Sequence, residues 1–310
     1  MALVPMSHLL TEASKGNYAV GAYNVNNMEQ IQAIMAAARE TRSPVILQAS
    51  RGALKYSNFT YLKHLMLAAV EENPDIPIAM HLDHGNSLET CKIAISLGFT
   101  SVMIDGSLKE DSKTPTTYEE NLDVTMRVVE YARPRGVTVE AELGTLGGIE
   151  DGVGSGRVNL TDPDQAVDFV NKTKVDALAI AIGTSHGAYK FKGEPKLALD
   201  LAKEIHSRIP DTPLVMHGSS SVPREYVEIV NRYGGRMPDA RGVPMSAIQS
   251  VIPYGIRKVN IDTDGRIAIT GAIRKVFFET PEKFDPRDYL GPAREALKQL
   301  VAQKMRDLGT

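Results

Sequence analysis

The chain has 310 residues, 35 Lys+Arg against 38 Asp+Glu, and a formal net charge of -3. With 43% hydrophobic and 24% charged residues it falls in the soluble globular range, which excludes disordered, collagenous and coiled-coil classes. The charge is near balance with no long basic block, and no window offers the ~20 apolar residues of a membrane helix, so neither nucleic acid nor membrane is an expected partner.

The start, MALVPMSHLLTEASKG, has neither the basic opening nor the apolar run of a secretory signal. Its single cysteine, Cys91, has no intrachain partner, which fits a reducing cytoplasm. From there a strand, a loop and an amphipathic helix alternate. Strands are predicted at Ala19–Tyr23, Val45–Gln48, Pro77–Leu82, Ser101–Ile104, Val137–Glu142, Ala177–Ile182, Pro213–Met216 and Lys258–Asn260. Helices are predicted between them, among others at Met28–Glu40, Tyr61–Glu71, Ser87–Ser96, Tyr118–Ala132 and Pro223–Asn231. Eight β–α units predict one α/β domain over residues 1–310, a (β/α)8 or TIM barrel, rather than a doubly wound sheet, because no glycine-rich phosphate turn follows Tyr23. Two helices, Arg266–Phe278 and Pro292–Asp307, then form a C-terminal extension over 265–310, with Pro281 and Pro286 punctuating the polar stretch between them. Gly106–Thr117 and the glycine-rich Gly144–Asp162 exceed ordinary βα loops; the second is expected to be mobile and lid-like.

Barrel chemistry is built at the C-terminal ends of the strands. Those ends carry Asn24 and Asn26, Ser50, His81-Leu82-Asp83-His84, Asp105, Glu140 and Glu142, Thr184-Ser185-His186-Gly187, His217-Gly218-Ser219-Ser220, and Asn260-Ile261-Asp262-Thr263. Three histidines from three strand ends, His84, His186 and His217, make the ligand set of a catalytic zinc, and their wide separation excludes a zinc finger. His8, His64 and His206 fall in other stretches and are expected to be solvated. Asp83, beside a proposed ligand, suits acid–base work. Glu140 and Glu142 share one face of their strand; Glu140 fits a polar barrel layer paired by Lys or Arg as readily as a site role. Glu150 lies on the glycine-rich insertion, where a closing general base would sit. Gly187, Gly218, Ser220 and Asp262-Thr263 together offer backbone N–H groups and hydroxyls for a phosphate. Aside from Lys190, no strand end presents a lysine suited to a Schiff base, so a metal is the better electron sink.

At this point the stretches AYNVNNMEQIQA, HLDHG, FTSVMIDGS, VEAELGTLGGIEDGV, AIGTSHGAYK, MHGSSSVP, KVNIDTD and FDPRDYLGPAR resemble, in order and over nearly the whole chain, the class II, metal-dependent fructose-1,6-bisphosphate aldolases and their tagatose-bisphosphate relatives. The resemblance implies zinc on His84, His186 and His217, with Glu142 holding the metal in a secondary, inactive position. It implies Asp83 as acid–base at the C4 oxygen, Glu150 as proton carrier at the dihydroxyacetone phosphate carbon, and Asn260 as a stabiliser of the enediolate. Gly187, Gly218, Ser220, Asp262 and Thr263 would cradle one phosphate; Ser50, with Arg287 reaching in from a neighbouring subunit, would meet the other. A sodium or potassium ion near Gly187 and Gly218, a homodimer or homotetramer, and a cytoplasmic role in glycolysis or gluconeogenesis are implied as well. The chain departs from many members in Ile149-Glu150, Ser219 and Gly265, none of which removes a catalytic group. Tagatose-1,6-bisphosphate aldolase shares the machinery; a zinc hydrolase would want HxH where Asn24 and Asn26 stand; and a non-catalytic sugar-phosphate barrel would have lost one of the groups present here.

Overall fold

The computed structural model describes residues 2–111, 113–145, 159–189 and 197–310. Eight parallel strands close in sequence order into one barrel: β1 (Val20–Asn24), β2 (Val45–Ser50), β3 (Ile78–Gly85), β4 (Ser101–Ile104), β5 (Thr138–Leu143), β6 (Ala177–Ile180), β7 (Leu214–Met216) and β8 (Ile256–Ile261). Every strand residue is buried, as expected for strands with side chains on one face and helices on the other. The predicted TIM barrel is therefore the fold.

The helices are α1 (Met6–Gly16), α2 (Met28–Thr41), α3 (Arg51–Ser57), α4 (Phe59–Glu72), α5 (Leu88–Ser96), α6 (Tyr118–Ala132), α7 (Pro163–Thr173), α8 (Leu199–Arg208), α9 (Arg224–Arg232), α10 (Met245–Val251), α11 (Thr263–Glu279) and α12 (Pro286–Leu308). No helix among the described residues is long and apolar enough to cross a membrane. The opening segment is a helix whose apolar residues recur at helical spacing. Met6, Leu9, Leu10 and Ala13 of α1 pack against Val20, Ala22, Ile46, Ala79, Ala177, Ala179 and Val215, closing the barrel floor opposite the strand ends that carry the polar residues.

Three expectations change. The helix after β8 begins at Thr263 rather than Arg266. The last helix begins at Pro286 rather than Pro292: Asp285 accepts a hydrogen bond from the Arg287 N–H at 2.9 Å, and Pro286 occupies the first helical position, where its missing N–H costs nothing. Pro292 lies inside that helix. His206 is half-buried rather than solvated; its ring packs where a side chain on Gly255 would stand, and burial holds it below the usual imidazole range. Helix α12 lies along α2 and α11 on the outside of the barrel.

Two local devices shape the barrel mouth. Gly218 follows β7 with φ of +59°, and a Cβ there would stand 2.7 Å from the Ser185 carbonyl oxygen, so the turns after β6 and β7 touch backbone to backbone. Behind them, the fully buried Asp264 carboxylate accepts from the Ser221 and Val222 N–H groups at 3.0 and 2.6 Å, and Lys304 of α12 sits 3.0 Å from it. This holds Val222 at φ of +49°, an uncommon conformation for a β-branched residue. Gly218→Ala should cost at least about 1 kcal/mol from the left-handed backbone alone, with the contact at Ser185 adding to it; an unchanged thermal midpoint would refute the close approach. Lys304→Met, which leaves the buried Asp264 charge without its cation, should lower the unfolding free energy in urea by about 3 kcal/mol, and a loss within the range of a surface pair, below about 1 kcal/mol, would show that the pair is not a buried one.

Candidate active site

At the barrel mouth a cavity of about 240 Å³ is lined by Asn24, Ser50, Arg51, Gly52, Lys55, Asp83, His84, His186, Gly218, Ser219, Ser220, Asn260 and Asp262. Asp83 and His84 are neighbours in sequence, and strand alternation would send them to opposite faces. The register between β3 and β4 shifts between Leu82 and Gly85, and His84 takes a φ of +50°. That irregularity turns His84 back toward the mouth, so both side chains reach it. Gly85 lets β3 pass close to β4, since a Cβ there would lie 2.6 Å from the Met103 carbonyl oxygen.

The donor atoms of Asp83, His84 and His217 lie within 4.8 Å of one another. His84 Nε2 and His217 Nδ1 are 3.1 Å apart, and the opposite nitrogen of each ring meets a carboxylate: His84 Nδ1 is 3.2 Å from Asp105, and His217 Nε2 is 2.6 Å from Glu140. Each carboxylate draws the ring proton to its own side, so the two facing nitrogens present lone pairs to each other. Such a contact is favourable only with positive charge on that line, either a proton or a metal ion. His186 stands edge-on to His84 with ring centroids 5.1 Å apart; it adjoins this donor group rather than belonging to it. A second group, His84, Asp105 and Glu142, also lies within 4.8 Å, and Glu142 Oε2 is buried without a hydrogen-bond partner.

The charge balance points the same way. Asp83, Asp105, Glu140 and Glu142 are all buried around one fully buried lysine, Lys258. Burial opposes charge on His84, yet Asp83 and Asp105 push it up to about 10. Burial, with Asp105 beside it, pushes Glu142 well above the usual carboxylate range. Burial also opposes charge on Asp83, but His84 and His217 outweigh it and hold this carboxyl below its ordinary value. Asp83 is thus an ionised base: Oδ2 accepts from Asn24 at 2.9 Å and faces Gln48 at 3.4 Å, while Oδ1 accepts from Asn260 at 3.2 Å. A site with surplus buried carboxylate, two facing imidazole nitrogens and an unpartnered carboxylate oxygen fits a divalent cation.

The structure gathers most of the residues singled out from the sequence. Ser50, Gly218, Ser220, Asn260 and Asp262 line the cavity, and the Asp262 N–H donates to Ser220 Oγ at 3.2 Å. His217 and Glu142 lie buried close by, and Thr263 is buried at the start of α11. Gly187 has a φ of +82° in the turn after His186 and is not among the lining residues. Arg287 is not brought to the cavity: its side chain is 90% exposed at the start of α12 and pairs with Asp285. Glu150 and Lys190 lie outside the described residues. Glu140 takes the barrel-layer role, 2.9 Å from Lys258. Gln48, Arg51, Lys55 and the pairing partner Lys258 were not signalled by the sequence, because only the barrel register shows that they face inward or line the mouth.

The chain matches the family described as fructose-bisphosphate aldolase class-II over residues 4–310. It is 57% identical to the fructose-bisphosphate aldolase of Giardia intestinalis, over the whole of this chain and 94% of that protein. With the fructose-bisphosphate aldolase class 2 of Synechocystis it shares 54% identity, over 100% of this chain and 90% of that one. Among solved structures, the YdjI aldolase of Escherichia coli K12 superposes with a TM-score of 0.80 at 29% identity, covering 99% of this chain and 97% of that one. A match over nearly every residue, together with a metal-ready donor group at the barrel mouth, shows that the chain belongs to the class II fructose-bisphosphate aldolases.

Proposed function

We propose that the chain is a zinc-dependent aldolase that reversibly cleaves D-fructose 1,6-bisphosphate into dihydroxyacetone phosphate and D-glyceraldehyde 3-phosphate. The observation that carries this reading is Asp83, anchored by Asn24 and Asn260 on the wall of the cavity, set beside His84, whose Nε2 faces the Nδ1 of the buried His217 just behind that wall. His84, His186 and His217 would hold the metal, whose Lewis acidity supplies the electron sink for C–C cleavage next to a carbonyl. Glu142, with its unpartnered oxygen near His84 and Asp105, would offer the secondary metal position.

In cleavage, Asp83 takes the proton of the C4 hydroxyl as the C3–C4 bond breaks, and the C4 oxygen becomes the aldehyde oxygen of the released triose. In condensation Asp83 returns that proton. The electron pair left at C3 accepts a proton, a delivery assigned to Glu150 on the strength of the family resemblance. Asn260 bridges Asp83 and His217 through its amide nitrogen, while its buried Oδ1 has no partner and can accept from a substrate hydroxyl; its role as a stabiliser of the enediolate rests on the family resemblance.

The turn holding Gly218 and Ser220, with Asp262, supports a cradle for the phosphate on the dihydroxyacetone side; Gly187 and Thr263 complete it, and sodium or potassium near Gly187 and Gly218 would add charge there. Ser50, which lines the same cavity at the end of β2, suits the second phosphate. The exposed Arg287 supports delivery to that phosphate from a neighbouring subunit, hence a homodimer or homotetramer in which 265–310 contributes contacts to a single catalytic domain spanning 1–310. A cytoplasmic place in glycolysis or gluconeogenesis completes the reading, on the strength of the family resemblance.

A coupled cleavage assay on fructose- and tagatose-1,6-bisphosphate, before and after chelation, tests the reading. Activity should favour the fructose ester, vanish with chelator and return with zinc; a preference for tagatose would keep the mechanism and change the substrate, and activity on neither would refute both. Asp83→Ala should abolish turnover while zinc stays bound by metal analysis, and near-normal turnover in that variant would remove Asp83 from the mechanism.

A further inference from the structure

Beneath the mouth lies a polar layer that no step above uses. Glu140 on β5 and Lys258 on β8 are fully buried, with Glu140 Oε2 2.9 Å from Lys258 Nζ and Oε1 2.6 Å from His217 Nε2. His81, also fully buried, stands 3.6 Å from Glu140 and bonds Ser101 Oγ at 2.8 Å. A buried ion pair of this kind is a poor way to stabilise a barrel, since well-packed apolar side chains of similar volume do as well or better. Its reason must lie in what Glu140 touches.

What it touches is the one N–H that a neutral His217 can have. A carboxylate only accepts, so the 2.6 Å contact keeps that proton on Nε2 and leaves Nδ1 unprotonated, facing His84 Nε2 at 3.1 Å. Without the acceptor only the Asn260 Nδ2 donor, 3.0 Å from Nδ1, would still oppose the form protonated at Nδ1, which cannot bind an ion through that nitrogen. Once an ion displaces that contact, Glu140 alone holds the tautomer. Lys258, fully buried like Glu140 and 2.9 Å from its Oε2, holds that side chain against His217. We propose that the Lys258–Glu140 pair is a positioning device for the metal centre: it fixes His217 as the Nε2–H tautomer, presents Nδ1 to the ion, and thereby sets the metal affinity of the site.

This inference rests on the metal-dependent reading above, so the wild-type chain is measured first. In the full-length metal-free protein with 15N-labelled histidine, long-range proton–nitrogen correlation should show His217 protonated at Nε2 alone. Zinc competition against a chromophoric chelator should then give a dissociation constant that weakens about 10–100-fold in Glu140→Leu/Lys258→Met, with mixed His217 tautomers and a thermal midpoint no lower than that of the wild type. A wild-type His217 protonated at Nδ1 overturns the proposal, as does wild-type zinc affinity in the folded double variant. If the variant does not fold, the wild-type tautomer decides alone. A wild-type chain that binds no zinc removes the metal reading itself, a result distinct from unchanged affinity between wild type and variant.

Discussion

Four carboxylates buried at one end of a barrel set the terms for everything around them. Asp83, Asp105, Glu140 and Glu142 cannot all remain ionised in a low-dielectric interior unless positive charge is brought to them. Lys258 answers for Glu140, and His84 responds by taking on basicity far above an ordinary imidazole. Glu142 responds in the opposite way, rising toward a neutral acid. The site is therefore divided between groups already matched and groups still short of a cation. The facing nitrogens of His84 and His217 lie where the two kinds of group meet.

The rest of the fold keeps that arrangement rigid. The helix α1 and the small apolar side chains it meets close the floor, so that the mouth is the open end. The shift in β3 lets adjacent residues reach the same site, where the proposed roles are His84 as donor to an ion and Asp83 as base. On the far side, Asp264 fixes consecutive N–H groups of the turn after β7, and Lys304 ties that carboxylate to α12. The proposed roles of Asp83, His84 and His217 each depend on a neighbouring polar side chain. Asn24 steadies Asp83, Asp105 steadies His84, and Glu140 steadies His217.

How much of this could be read from the sequence follows from which interactions are local. The strands were legible because buried parallel strands are short apolar runs, and the polar residue at the end of each run gave away Asp83, His84, His186, His217 and Asn260. The start of the last helix was misplaced, since the proline at 286 reads as a stop until Asp285 is seen to cap the helix, whereas the capped starts at Met28 and Tyr118 fell where the sequence put them. Partnerships across the barrel were out of reach: that Glu140 opposes Lys258, or that Gln48 lies level with His81, depends on strand register and closure rather than on spacing along the chain. Asp105 shows the boundary between the two. Its place at the end of β4 was visible, but its bond to His84 was not.

The longest-range of these dependencies runs through α12. Its N-terminal end carries Arg287, extended into solvent away from this chain's own cavity, and its C-terminal half carries Lys304, buried against Asp264 behind the turn that holds Gly218 and Ser220. One helix, with Pro292 inside it, thus links an exposed arginine with the backbone of the turn after β7. What fixes Lys304 is the packing of the segment after Pro292, whose Leu297, Leu300, Val301 and Met305 are buried in the core. The C-terminal segment is in this sense part of the active site's framework, although it contributes no residue to the cavity of its own chain.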